Sequence, residues 1–293
     1  MSITEAKQTF VRPFMEGLTQ PDTSWTAGFD VWTDDVASIK LASLSGIGTV
    51  PTWDGSNDYP QTDINDRYNQ TITYTKYALQ VRINEFDAMD VPRIVADAGQ
   101  KLGVAIANTY ASVAATTLAD VFDSTTTAGD GVALVSDSHP TASGALRDNK
   151  TTSAFDRTAW MADINLASLW VSYHNLDEDW SSDPMVMYGS PQDTTLRETA
   201  AEVFGSALSS DQMQVNAAAS YRPQVVIWPK LTDSTQWYMI SKLRKPLVFW
   251  IRAGADSRTT IDEDNGNIKI STRFALGTIA KPDPVGIIGN DAA

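Results

Sequence analysis

DVPRIVADAGQKLGVAIANTYASVAATTLADVF, residues 90–122, decides the fold class. Its apolar side chains, Ile94, Val95, Ala98, Leu102, Ala105, Ile106, Tyr110, Val113, Leu118 and Val121, recur at steps of three and four, the spacing of one helical face. The spacing predicts a single helix over about 92–121, with Asp90 as N-cap and Pro92 near the first helical position. At ~1.5 Å per residue such a helix is roughly 45 Å long, a strut around which a domain can be laid down. Gly99 and Gly103 cost it some propensity and mark places where another chain segment packs closely.

Upstream, TITYTKYALQVRI at 71–83 alternates through Ile72, Tyr74, Leu79, Val81 and Ile83, which predicts a strand with a slip near Tyr77. It is preceded at 43–69 by a stretch dense in Gly, Pro, Asp, Asn, Ser and Thr, a long loop or irregular hairpin; loops of more than about 12–15 residues are usually functional. Residues 2–42 carry Phe10, Phe14, Trp25, Phe29 and Trp32 without a sustained period. They read as an extended arm with one short helix capped by Ser2 and Glu5, whose aromatics must dock on the rest of the chain or on a neighbour. Downstream comes a turn-rich segment at 123–149 with a short strand at 132–135. Helices are expected from an Asp156 cap to about Tyr173 and from a Ser190 cap, with Pro191, to about Leu208. Short strands are expected at 185–188, 224–228, 236–242, 247–252, 267–274 and 285–288, so the class is α+β.

The 293 residues hold 36 acidic and 22 basic side chains, a net charge of −14, two histidines and no cysteine. That composition excludes a disulfide framework, a thiolate zinc site, an iron–sulfur cluster and a cysteine nucleophile. The first twenty residues have neither a basic stretch nor an apolar run, and no run of about 18 consecutive apolar residues occurs, so neither a secretory signal nor a membrane span is expected and the chain is read as soluble in a cytoplasm-like solvent. The acidic balance argues against nucleic acid as a direct ligand; the nearest basic cluster, Lys242, Arg244 and Lys245, reads as the solvated end of a strand.

Catalytic equipment is sparse. Asp262-Glu263-Asp264 fails as a calcium loop because Gly266 falls at the fifth position and strand alternation follows, so Asp264-Asn265-Gly266 reads as a hairpin turn. The acidic run 177–179 reads as a solvated loop. Ser136, Ser138 and His139 lack a nucleophile elbow and read as a turn set by Pro140, while His174 ends a predicted helix. No catalytic, cofactor-binding or metal-binding residue is assigned, and no enzymatic activity is expected. The nine tryptophans, at 25, 32, 53, 160, 170, 180, 228, 237 and 250, read as core or interface in preference to a glycan platform.

GIGTVPTWDG at 46–55, residues 77–85 leading into the long helix, VALVSDSHP at 132–140, Trp228-Pro229 and Trp237-Tyr238-Met239-Ile240 together carry a resemblance. In the order of these parts the chain resembles the tailed-bacteriophage major capsid proteins of the Hong Kong 97 fold, and in local wording the Mu-type major head subunits. The resemblance implies an N-terminal arm at 1–42, an extended loop (the family's E-loop) at 43–84, and a peripheral domain with its spine helix at 85–174. An axial domain would follow at 175–250, and 251–293 would return to the peripheral domain. It further implies self-assembly as hexamers and pentamers into an icosahedral shell enclosing double-stranded DNA without sequence-specific binding. The implied partners are other copies of the chain, a portal protein, and scaffold and decoration or cement proteins, with no membrane. The implied location is the virion, and the host cytoplasm during assembly. The expected inter-subunit contacts are Phe10, Phe14 and Trp25 from the arm and Val50, Trp53 and Tyr59 from the loop. The alternatives are another phage structural protein or a Trp-rich glycan-binding module.

Overall fold

The computed structural model describes residues 3–19, 23–44, 66–91, 93–141, 144–171, 177–205, 217–262 and 266–292. It opens with α1 (Ile3–Thr19), a 3-10 turn at Ser24–Ala27, β1 (Phe29–Thr33), β2 (Ile39–Leu44), β3 (Asp66–Ile72) and β4 (Thr75–Ile83). Then come α2 (Glu85–Asp90), α3 (Arg93–Ala119), the short strands β5 (His139–Pro140), β6 (Leu146–Arg147) and β7 (Lys150–Thr151), and α4 (Arg157–Ser168). The remainder is β8 (Met185–Gly189), α5 (Leu196–Gly205), β9 (Gln224–Ile227), β10 (Gln236–Ser241), β11 (Leu247–Ile261), β12 (Ile268–Ala280) and β13 (Ile287–Asp291).

The long helix stands where its periodicity places it, continued by a 3-10 turn at Asp120–Phe122. Its start differs from expectation. Asn84 accepts a hydrogen bond from the Phe86 N–H and caps α2, and Asp90 is the last residue of that helix, not the cap of α3. By length and apolar content α3 with its 3-10 extension is long enough to cross a bilayer, yet Val95, Leu102, Ile106, Ala114 and Leu118 are buried in the chain's own core.

The N-terminal arm is corrected more strongly. It forms a 17-residue helix, Pro13 included, lying against α3. Phe10 and Phe14, one turn apart and stacked with ring centroids 5.2 Å apart, are 1% and 3% exposed. Gly17, Gly99 and Gly103 make this approach possible: a Cβ on Gly103 would stand 2.3 Å from the Phe14 carbonyl oxygen, and one on Gly17 2.3 Å from that of Gln100.

Two sheets organise the rest. A four-stranded sheet runs β1-β11-β12-β4, with β1 parallel to β11 and the others antiparallel. A five-stranded sheet runs β7-β13-β10-β8-β9. The last strand, β13, pairs with β10 in the five-stranded sheet, so 251–293 divides between the two sheets and does not return wholly to the one that holds α3. Likewise β11 begins at Leu247, inside the stretch expected to be axial.

The inner strands of the five-stranded sheet, β8, β10 and β13, are buried on both faces, which explains their unbroken apolar runs. Val186, Tyr188, Tyr238, Ile240 and Ile287 face the core shared with α1, α3 and the four-stranded sheet. Met185, Met187, Trp237, Met239 and Ile288 face a second core with Trp160, Trp180 and Phe204. A third, small cluster of Ile72, Val248 and Trp250 lies where the paired β2 and β3 cover part of the four-stranded sheet.

Three local expectations fail for identifiable reasons. α4 stops at Ser168 instead of reaching residue 173 because the Trp170 carbonyl accepts from Glu178 N and that of Ala167 from Trp180 N, turning the chain back. α5 starts at Leu196 because Ser190 Oγ donates to the Leu231 carbonyl and stays in a turn, while Asp193 accepts from Leu196 N. Residues 132–135 form one isolated bridge, Thr127 to Ala133, and no strand.

Candidate functional site

The chemistry-bearing side chains of the interior serve the fold. His139 and Asp130 form a fully buried pair, Nδ1 to Oδ2 at 2.7 Å, with His139 Nε2 3.2 Å from the Leu134 carbonyl oxygen. Burial works to raise the Asp130 pKa. The hydrogen bond and charge of His139, the Val132 N–H and the charge of Arg147 outweigh it and hold the carboxyl below its ordinary value. No hydroxyl completes a nucleophilic arrangement here: Ser136 Oγ lies 2.9 Å from Ser138 Oγ and accepts from Ser138 N. Beside them Asn149, wholly buried, accepts from Ser136 N and donates to the carbonyls of Leu134 and Ile287, tying the 130–140 segment to β13. Nothing in the spacing of the sequence announces Asn149, because its partners lie 13 to 138 residues away.

A second buried carboxyl, Asp163 on α4, is pushed up to about 7, first by burial and then by the charge of Asp148, against hydrogen bonds from Asn290 (2.7 Å) and Thr151. Tyr188 links the arm to the five-stranded sheet. Its hydroxyl accepts from Gly28 N at 2.9 Å and lies 2.9 and 3.0 Å from the carbonyl oxygens of Trp25 and Ser24. Among the described residues no group of three His, Asp or Glu side chains stands ready to hold a metal ion.

The acidic run at 177–179 and the basic cluster at 242–245 meet through Arg244. Arg244 pairs with Glu178 and Asp183, each at 3.3 Å, and Lys242 Nζ donates to Gln224 Oε1. Asp262 and Lys269 pair at 2.6 Å beside the hairpin that joins β11 to β12, where Gly266 takes φ +69° and its N–H donates to the Asp262 carbonyl.

The expected contact residues separate into two groups. Phe10, Phe14 and Trp25 belong to the subunit's own core, with Trp25 4.6 Å from Phe249 between ring centroids, so their area is not free for a neighbour. Helix formation accounts for this: once 3–19 coils, Phe10 and Phe14 fall on one face, and α3 offers a glycine-lined groove to receive them. Val50, Trp53 and Tyr59 lie outside the described residues. Of the other tryptophans, 160, 170, 180, 228, 237 and 250 are buried, so they are core.

The fold also creates a surface that no run of sequence contains. Beyond the β2–β3 cover, the outer face of β4, β12 and β11 carries exposed side chains, Lys76, Ala78, Gln80, Arg82 and Arg273 among them. Cross-strand partners share a face, so the register sets out rows of Arg82, Lys269 and Thr260; Gln80, Ser271 and Arg258; Ala78, Arg273 and Asp256; with Lys76 at the near end. The opposite face, with Tyr77, Val81, Ile270 and Phe274, packs towards α3. The basic face holds a shallow groove of about 440 Å³, lined by Ala78, Gln80, Ser271, Arg258, Arg273 and Asp256 among others.

No family model matches the chain, and no curated protein matches it in sequence. Solved structures do match its fold. The capsid of cyanophage P-SCSP1u aligns with TM-score 0.65 and 13% identity over 93% of this chain and 88% of that one. The virus-like particle from Pyrococcus furiosus gives TM-score 0.57 and 10% identity over 97% and 98%. The capsid of Ralstonia phage GP4 gives TM-score 0.56 and 13% identity over 93% and 89%. The likeness spans nearly the whole chain, and the chain has the Hong Kong 97 fold of the phage major capsid proteins.

Proposed function

We propose that this chain is a major capsid protein, a structural subunit that assembles as hexamers and pentamers into an icosahedral shell around double-stranded DNA. The observation that carries the reading is the chain-long match to the P-SCSP1u capsid: nearly all of either chain is used, so the likeness is to a whole subunit. In this reading the α3 and four-stranded-sheet body is the peripheral part, and the five-stranded sheet with α4 and α5 the axial part. The stretch 45–65 then reaches a neighbour with Val50, Trp53 and Tyr59. A portal protein, and scaffold or decoration proteins, are the further partners the reading calls for. Its location is the virion, preceded by the host cytoplasm.

The energetics suit a shell. Burying ~1,000 Å² of apolar surface per subunit gives roughly 25 kcal/mol gross, most of it offset by lost freedom and ordering. Contacts individually weak still hold a closed structure when each subunit makes several. Expressed alone and viewed by electron microscopy, the chain should give shells, sheets or five- and six-fold rings. Trp53→Ala should lower particle yield while leaving the circular-dichroism spectrum of the subunit intact; undiminished yield would remove Trp53 from the interface.

A further inference from the structure

The outer face of β4, β12 and β11 stands out by charge. Lys76, Arg82, Lys269, Arg273 and Arg258 put five of the chain's 22 basic side chains on one patch, against Asp256 as the one acidic member of its rows out of 36 acidic residues in all. Lys269 is engaged with Asp262. Arg258 and Arg273, 63% and 66% exposed, stand 3.6 and 3.7 Å from the shared carboxylate of Asp256 and keep most of their guanidinium donors free for a further acceptor. Between them Ala78 and Ser271 are short, which makes the floor of the groove.

We propose that this face is the receiving half of a charge-complementary contact between two copies of the chain, its arginine groove taking a carboxylate-bearing segment of a neighbouring subunit. The inference rests on the capsid reading and adds to it a specific surface. Charge complementarity selects the occupant. With this patch set aside, the rest of the chain is more negative than its net −14, so a second copy presents acid almost wherever it turns. Subunits with that charge repel unless a basic surface is placed at a contact, and Arg forks match carboxylates two hydrogen bonds at a time. A groove of about 440 Å³ is large enough for a short peptide segment.

The test follows association of the full chain by light scattering and electron microscopy between about 50 and 500 mM NaCl, a range over which screening at a contact changes strongly. R258E/R273E and the charge-keeping R258K/R273K are run alongside, with thermal melting as the check on folding. The wild type should associate at least tenfold less at the high salt. R258E/R273E should lose at least tenfold in particle yield at low salt with an unchanged melting temperature, and R258K/R273K, which keeps the charge but not the fork, should lose less than the charge reversal. A second pair, K76E/R82E, should show the same loss and keeps the test intact if R258E/R273E melts early. Wild-type yield and wild-type salt dependence in both charge-reversed variants would overturn the proposal and leave the capsid reading standing. A wild type that never associates would overturn both. Binding of duplex DNA that both reversals abolish while assembly persists would reassign the face to nucleic acid and overturn the contact between copies.

Discussion

Asp163 ties its side chain to Asn290 and Thr151 in the wall of the second core, and its folded pKa, about 7, lies above the ordinary carboxylate value. An acid raised in this way stabilises the fold fully below its unfolded pKa, near 4, and loses that contribution as pH rises through 7, because the unfolded chain releases the proton first. The amount is on the order of a few kcal/mol. Asp163→Asn, which cannot ionise, should therefore gain on the wild type in melting temperature from pH 4 to pH 8; a constant gap across that range would show that Asp163 is charged in the folded state. Asp130 behaves oppositely: its lowered pKa gives stability that persists at neutral pH and is lost only in acid. His139→Ala removes the partner of a buried carboxylate and should cost about 3–5 kcal/mol, read as a lower urea midpoint. None of this was legible in the sequence. VALVSDSHP reads locally as a turn, and the pairing that makes His139 structural depends on Asp130 nine residues earlier and on Asn149 beyond it.

At the scale of elements, a helix that satisfies its own periodicity can be read directly, and α3 lies where its apolar spacing places it. The strand β4 was legible only in part: alternation through Val81 and Ile83 marks it, but the expected single strand at 71–83 is broken at 73–74 and Ile72 belongs to β3. The register with β12 runs through Tyr77 without the expected slip, while the strands expected near Tyr188 and Tyr238 are present as β8 and β10. α1 was not legible, because Pro13 and the scattered aromatics conceal a helix whose face is completed by Gly99 and Gly103 on another element. That dependence gives a test. Gly103→Ala improves helix propensity by about 1 kcal/mol, yet its Cβ would meet the backbone of α1 at 2.3 Å, so α1 must shift. The net change should be a loss of about 1–3 kcal/mol in urea denaturation; a gain would mean that α1 does not dock there. Starts and stops of helices were the least legible feature, since Asn84, Asp193 and the carbonyls of Ala167 and Trp170 choose them by hydrogen bonds that compete with several equally plausible caps.

Over the whole molecule, tertiary pairing redistributes what the sequence keeps apart. Basic residues at 76, 82, 258, 269 and 273 show no cluster along the chain, and antiparallel register makes one. Conversely the aromatics of the arm, which look like spare interface, are spent on the interior. In the capsid reading the proposed contacts between subunits are the stretch 45–65 and the basic face of the four-stranded sheet that α3 braces. The most direct measurement is electron microscopy of the purified full chain at low salt and high concentration. The account predicts closed shells or five- and six-fold rings. A chain that stays monomeric there, and also when co-expressed with the proteins encoded beside it, would contradict the account.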